Sequence, residues 1–224
     1  MDTENVEHRR NSVIESNNVS LNEAINKKIS FEVVAVNVNS LVSHEKRYTL
    51  LQFIEKQKPD IILISETKLK KRHKTQFADY AIYRTDRPNA DGGGETAVMV
   101  KNTYPLECVN VLTHLSARNE VLEYTVAIFS LSMGQKLYVI SAYANNLSRA
   151  VYAEELDSLF SKLNLNELNN FFILAGDLNS RLQEWGDRFS NYKGNLLRDW
   201  EAERSHLYKA KIIPPSSPTY KDFF

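Results

Sequence analysis

A single cysteine, Cys108, stands in 224 residues. One thiol cannot close an internal disulfide, so the fold has no covalent staple and a reducing compartment is expected. No Cys/His spacing resembles a zinc site. Net charge is missing as well: 28 basic residues balance 28 acidic ones. That balance removes any global pull toward nucleic acid or a membrane surface and leaves such binding to local clusters. No stretch approaches the roughly 18–20 apolar residues that a membrane span needs. The polar amino-terminal stretch lacks the apolar run of a signal peptide. These absences point to an intracellular chain with no membrane partner. Internal repeats and low-complexity tracts are also absent.

What is present suits one large α/β domain: hydrophobic residues make up 42% and aromatics 10%, enough for a sizeable core. Residues 1–29 carry charges, Asn and Ser with few large apolar groups, and are expected to form a disordered polar leader. The domain is expected over 30–224. It opens on a β-branched strand, 31–39, followed by an amphipathic helix over 43–57 with Ser43 as N-cap. Pro59 ends that helix, and 60–66 is an apolar strand of the kind buried on both faces. Strand, helix and strand at this spacing suggest a βαβ unit. Strands follow at 80–84, 96–101, 106–112, 121–132 and 136–143, with Gly92–Gly94 and Met133-Gly134 marking two hairpins. A helix over 152–168, a buried strand at 171–174 and a helix over 194–209 complete the order. The pattern fits a four-layer α/β sandwich: two mostly antiparallel or mixed sheets packed face to face, with helices outside.

Polar residues stand where the apolar strands end: Asn37 and Asn39 after the first, Glu66 after the second, Tyr143 with Asn145 and Asn146 after 136–143, and Asp177 with Asn179 after 171–174. In open α/β sheets, ligand groups gather beyond the carboxyl ends of strands. Taken singly, a Glu after a strand is often the first solvated loop residue, and Gly-Asp-x-Asn is often a turn. Together they form a set of hard oxygen donors suited to Mg²⁺, which takes one or two carboxylates plus waters and substrate phosphate. Asn side chains both donate and accept, so they can hold a water or a phosphate oxygen. A metal at a phosphodiester acts as Lewis acid and charge clamp. Lys68, Lys70, Lys71, Arg72 and Lys74 cluster just after Glu66, where they could neutralise phosphates.

Six motifs occur in order: Asn37-Val-Asn39; Pro-Asp-Ile-Ile-Leu-Ile-Ser-Glu-Thr at 59–67; Tyr-Arg-Thr-Asp-Arg at 83–87; Gly-Gly-Gly and then Thr-Ala-Val-Met-Val-Lys to 101; Ile-Ser-Ala-Tyr at 140–143; and Phe-Ile-Leu-Ala-Gly-Asp-Leu-Asn at 172–179. Trp185-Gly186 and Ser217-Pro-Thr-Tyr220 follow. Over 31–220 this series resembles the endonuclease domain, of the endonuclease/exonuclease/phosphatase type, of jockey-like non-LTR retrotransposons. The resemblance implies a divalent-metal-dependent enzyme, using Mg²⁺ or Mn²⁺, that nicks DNA at the target site of an element. In this implied set Glu66 and Asn39 surround the metal. Asp177 orients or activates water, Asn179 positions it, and Tyr143 contacts the scissile phosphate region. Asn37, Lys68, Arg84, Arg87 and Asn145 would bind substrate. The implied partners are the DNA phosphate backbone and, in an intact element, a reverse transcriptase on the same polypeptide. The implied place of action is the nucleus. The resemblance also implies a continuation past Pro-Thr-Tyr to a Ser-x-x-Asp strand and a terminal Ser-Asp-His, which the sequence does not contain before Phe224. None of His8, His44, His73, His114 and His206 stands in that motif, and Asp222 follows Thr219 too soon. The expectation is a catalytic set without its histidine and a sheet without its last strands. Two other readings compete: a phosphodiesterase or phosphatase of the same fold acting on a small substrate, and a non-catalytic remnant or binding module.

Overall fold

The computed structural model describes residues 13–16, 30–86, 95–103, 108–114, 122–144 and 147–214. In chain order the elements are β1 (Val13–Ser16), β2 (Val33–Asn37), α1 (His44–Gln57), β3 (Ile61–Ser65), β4 (Tyr80–Thr85), β5 (Thr96–Lys101) and β6 (Cys108–His114). β7 (Glu123–Ser130), β8 (Lys136–Tyr143), α2 (Tyr152–Lys162), β9 (Asn170–Asp177), α3 (Tyr192–Tyr208) and β10 (Ala210–Ile213) follow. A four-stranded sheet runs β2-β3-β5-β4 and a six-stranded sheet β10-β1-β9-β8-β7-β6. The βαβ expectation holds, because β2 and β3 pair in parallel with Asn37 opposite Ser65 across α1. The second parallel pair is β8 and β9, with Tyr143 opposite Asp177 and α2 as the crossover. All other pairings are antiparallel.

Strand periodicity builds the layers. Alternate residues of a strand face opposite sides of the sheet. Ala35, Ile61, Leu63, Val98, Val100, Ala127, Phe129, Leu137, Val139, Phe171 and Ala175 face inward and form the core between the sheets. The other faces bury against helices. Val126, Ile128, Tyr138, Ile140, Phe172 and Leu174 meet α2 and α3 in the largest core, while Ile62, Ile64, Ala97 and Met99 meet α1 through Leu50, Phe53 and Ile54. Phe160 of α2 is the hub of the first of these helix layers, edge-on to Phe172, Trp200 and Tyr208 at centroid distances of 5.0, 4.8 and 4.8 Å. Such pairs add about 0.5–1.5 kcal/mol each beyond burial. Helix, sheet, sheet and helix are the four expected layers.

The ends of elements follow local chemistry. Ser43 caps α1 by accepting from Lys46 N at 3.2 Å. The helix closes on Lys58 in left-handed backbone, φ 50, whose N–H reaches Ile54 O, ahead of Pro59. α2 stops at Lys162 rather than reaching 168. Asn164 turns left-handed (φ 53), and Leu165 folds back, donating to Phe160 O at 3.0 Å. α3 starts two residues before the expected Gly194, because Asn191 caps it by accepting from Gly194 N at 2.8 Å.

Two strands were not expected. β10 follows α3 at once, after Lys209 turns left-handed. β1 lies in the stretch read as a disordered leader. Its four residues pair antiparallel with both β9 and β10, so for 13–16 the ladder overrides a sequence too polar to signal a strand. The triple glycine and the Pro-Thr-Tyr segment lie outside the described residues.

Candidate active site

Four carboxyl-terminal strand ends meet at one rim of the sandwich. β2 and β3 bring Asn37 and Ser65 side by side, and β8 and β9 do the same for Tyr143 and Asp177. Period-2 alternation sets the direction. Ala35 and Ala175 belong to the inter-sheet core, so Asn37 and Asp177, two residues on, point into the same gap from opposite sheets. Ser141 in β8 likewise crosses the gap to donate to Ile64 O at 2.8 Å, and Tyr143 shares its face.

Asn37 is the joint between the sheets. Its Nδ2 donates to Glu66 Oε1 and to Asp177 Oδ2, each at 2.7 Å, and its Oδ1 accepts from Asn39 N at 2.9 Å. Two donors and one acceptor are thus all engaged, which determines the amide's orientation: a flipped Asn37 would set its oxygen against two carboxylates. The group is 9% exposed, so its hydrogen bonds to charged acceptors are stronger than neutral ones. Asp177 also accepts Asn179 N on Oδ1 at 2.9 Å, a turn closed by the carboxylate's own loop.

The backbone here is strained. Asn39 (φ 43), Ser40 (φ 106), Glu66 (φ 58), Lys68 (φ 53) and Asn179 (φ 52) are all left-handed without being glycine, at about 1–3 kcal/mol each. Six other positive-φ residues other than glycine are described, among them Lys58 and Lys209 at helix ends, so five gather at this rim. Ladder-like bonds from Ser40 N to Glu66 O (2.8 Å) and Leu41 N to Thr67 O (2.7 Å) keep the two loops in register.

Asn39 Oδ1 and Glu66 Oε2 converge on one cation. Lys68 Nζ donates to Asn39 Oδ1 at 2.6 Å and lies 3.8 Å from Glu66 Oε2. The two expected metal ligands therefore share a point that attracts positive charge, and both offer hard oxygens. That donor set fits a Mg²⁺ or Mn²⁺ ion completed by waters and a phosphate. Among the described residues no group of three or more His, Cys, Asp or Glu side chains is placed to hold a metal ion.

Residues not anticipated from sequence support the loop after β9. Lys193, 6% exposed, donates Nζ to Ala144 O at 3.0 Å, and the same carbonyl accepts Asn179 Nδ2 at 3.3 Å. Burial lowers the Lys193 ammonium from its usual 10.5, opposed by the Asp177 carboxylate. Asn191 donates Nδ2 to Asn179 O at 2.8 Å. From α2, the fully buried Tyr152 bonds Ser180 Oγ at 2.7 Å. A lysine before a glycine carries no burial signal in sequence. Asn191, three residues before Gly194, carries a cap signal that the later helix start obscured.

Of the expected substrate residues, Arg84 spends its donors on protein. It meets Asp86 Oδ2 at 3.1 Å, Thr75 Oγ1 at 2.9 Å and Lys70 O at 3.4 Å, and so braces the basic loop. Asp86 is pushed above the usual carboxylate range by burial, with Arg84 pulling it back. Lys71, Arg72 and Lys74 are exposed on that loop, and His73 Nδ1 closes its turn by accepting Lys70 N at 2.9 Å. Arg87 and Asn145 lie outside the described residues. No histidine takes part in the hydrogen bonds of the Asn37, Glu66 and Asp177 cluster among the described residues.

Comparison with known proteins bears on the family and the fold. The chain is 27% identical over 191 residues to a probable RNA-directed DNA polymerase from transposon BS of Drosophila melanogaster, covering 84% of this chain and 19% of that protein. It is 22% identical over 171 residues to the RNA-directed DNA polymerase from the mobile element jockey of the same organism, covering 76% and 17%. The chain thus spans less than a fifth of the length of these relatives. The crystal structure of an AP endonuclease from Leishmania major superposes with a TM-score of 0.58 at 15% identity, covering 80% of this chain and 70% of that one, a likeness of fold. The model of the Endonuclease/Exonuclease/phosphatase family matches residues 34–222, and the chain belongs to that family.

Proposed function

We propose that this chain hydrolyses phosphodiester bonds of DNA, as the nicking domain of a retrotransposon polyprotein that also carries a reverse transcriptase and acts in the nucleus. The observation that carries the reading is the Asn37 amide, which ties the Glu66 and Asp177 carboxylates from two sheets into one cleft. Glu66 and Asn39 would hold the divalent ion, which supplies Lewis-acid charge at the phosphate when bound. Asp177 accepts the proton of the attacking water, whose oxygen forms the new bond to phosphorus. Asn179 positions that water and Tyr143 contacts the phosphate. The P–O3′ bond breaks, and the leaving oxygen takes a proton from solvent, to which Asp177 returns its own, giving a 3′-hydroxyl suited to priming. The exposed Lys71, Arg72 and Lys74 meet the backbone phosphates. Were a divalent ion held by Asn39 and Glu66, Lys68, which now meets both, would be left to pair with substrate phosphate.

A non-catalytic binding module is the second reading, favoured by the lack of a histidine in the cluster among the described residues. General acid–base help is worth about 10²- to 10⁴-fold, so a cluster working without it would turn over more slowly by that factor. The test is conversion of supercoiled plasmid to open circle with Mg²⁺, with EDTA, and by Asp177→Ala and Glu66→Ala. Metal-dependent nicking reduced at least 100-fold by either substitution is expected. Salt-sensitive DNA binding with no nicking would support the binding module, and equal nicking by wild type and Asp177→Ala would sink the assignment of the cleft.

A further inference from the structure

Beyond Asp177, the chain leaves β9, turns around Trp185 and returns to the cap of α3. The neck of this loop is closed twice, by Asn191 N to Arg181 O at 2.9 Å and by Arg181 N to Asn191 Oδ1 at 3.1 Å. Higher up, Gln183 N reaches Ser190 Oγ at 3.1 Å. Trp185 is buried and anchors the loop from within. The loop also keeps an aromatic ring in solvent. Phe189 is 48% exposed, with the Arg181 guanidinium 4.9 Å from its ring centroid. Tyr192 is 39% exposed, its hydroxyl donating to Leu147 O at 2.8 Å and the Arg149 guanidinium 5.9 Å from its ring. Between them in the sequence is Asn191, whose side chain holds Asn179 O. Both rings are therefore indexed to the residue that lines the cleft.

We propose that Phe189, with Tyr192 beside it, is a stacking platform for an unpaired nucleobase of the strand whose phosphodiester enters the cleft; this rests on the nuclease reading above. The chemistry is that of sequence-tolerant strand binding, in which aromatic faces take bases and neighbouring guanidinium groups take phosphates and add cation–π attraction. Arg181, Arg149 and the exposed Arg188 supply that charge. A base within an intact duplex has both faces covered by its neighbours. The platform therefore favours a bulged, flipped or single-stranded base over a paired one, and it would steer the cleft to helical irregularities or opened sites.

The experiment measures binding of the full chain, in EDTA, to a duplex bearing one unpaired fluorescent aminopurine and to the same duplex fully paired, over a range of salt. Wild type is expected to bind the unpaired probe more tightly and to quench its emission. Phe189→Ala should weaken that complex about 5- to 100-fold, leave the paired duplex and the salt slope nearly unchanged, and lose the quenching. Phe189→Trp should restore both. The ring is exposed, so the melting temperature of each variant should match wild type and serves as the folding control. Equal affinity and quenching by wild type and Phe189→Ala would remove the platform while leaving the cleft reading intact. A wild type that binds neither duplex in a salt-dependent way would remove the cleft reading and the platform with it.

Discussion

Two residues on one helix turn, Lys193 and Gly194, connect packing to chemistry. Gly194 lies against the loop after β9 so closely that a Cβ there would fall 2.1 Å from Arg181 O. Alanine in a helix interior is better than glycine by about 1 kcal/mol, but a backbone oxygen cannot move aside, and overpacking costs about 1–3 kcal/mol. Gly194→Ala should therefore destabilise the fold, read by urea denaturation; a more stable variant would show that α3 does not bear on the loop. Lys193 poses the opposite trade. Its ammonium is buried, and burial lowers its proton affinity in the folded state. In the window between that lowered value and 10.5, the unfolded chain holds more protons, so this residue's cost shrinks as pH rises. Lys193→Met is expected to melt at or above the wild-type temperature at neutral pH, with its advantage narrowing as pH climbs toward 10.5. The same variant should nick at least 10-fold more slowly, because the Ala144 carbonyl that accepts from Asn179 loses the lysine that anchors it. A melting difference that is independent of pH would contradict the linkage.

At the level of elements, β2, β3, β5, β8 and β9 were legible because each is a largely apolar run ending in a polar group, a pattern that a buried strand imposes on its own residues. β1 and β10 were not legible. Each has four residues, too few for periodicity to speak, and their stability comes from the ladder rather than from propensity. β1 stands between β9 and β10, so it should matter more than its length suggests. A proline inside a paired central strand removes a ladder bond and clashes with its neighbour. Glu15→Pro is expected to cost about 1–3 kcal/mol by denaturant titration and to raise amide exchange in β10. No change in either would show that 13–16 leaves the sheet in solution. The overlong expectation for α2 has a similar origin. Residues 163–168 keep an apolar rhythm, but Leu163 and Leu165 are buried through a turn rather than through a further helical turn.

Across the whole molecule, zero net charge hides a division of labour. The rim gathers Glu66 and Asp177, and the adjoining loop gathers Lys70, Lys71, Arg72 and Lys74. DNA affinity should therefore be local and steep in salt. Removing one phosphate-binding charge should reduce the slope of log K against log salt by about 0.9, so Lys71→Gln with Arg72→Gln should flatten it by up to about 2. An unchanged slope would mean that the loop does not face DNA. Arg84→Gln should act differently, because its donors hold Thr75, Lys70 and Asp86. It loosens the loop and leaves the number of charges that meet phosphate the same.

The sequence by itself determined the layered fold and the identity of the rim residues. Burial dictates residue type along a strand, and the polar groups that end such runs stand out against it. Only the tertiary structure decided how those groups work together: that one amide, Asn37, holds both carboxylates, that Lys68 bridges the pair expected to bind metal, and that Arg84 is a brace. The first two depend on contacts between residues 29 and 140 positions apart and the brace on contacts 9 and 14 apart, for which local pattern carries no information. The same holds for Lys193, whose burial is created by the docking of α3 on the loop after β9 and by nothing in its neighbours along the chain.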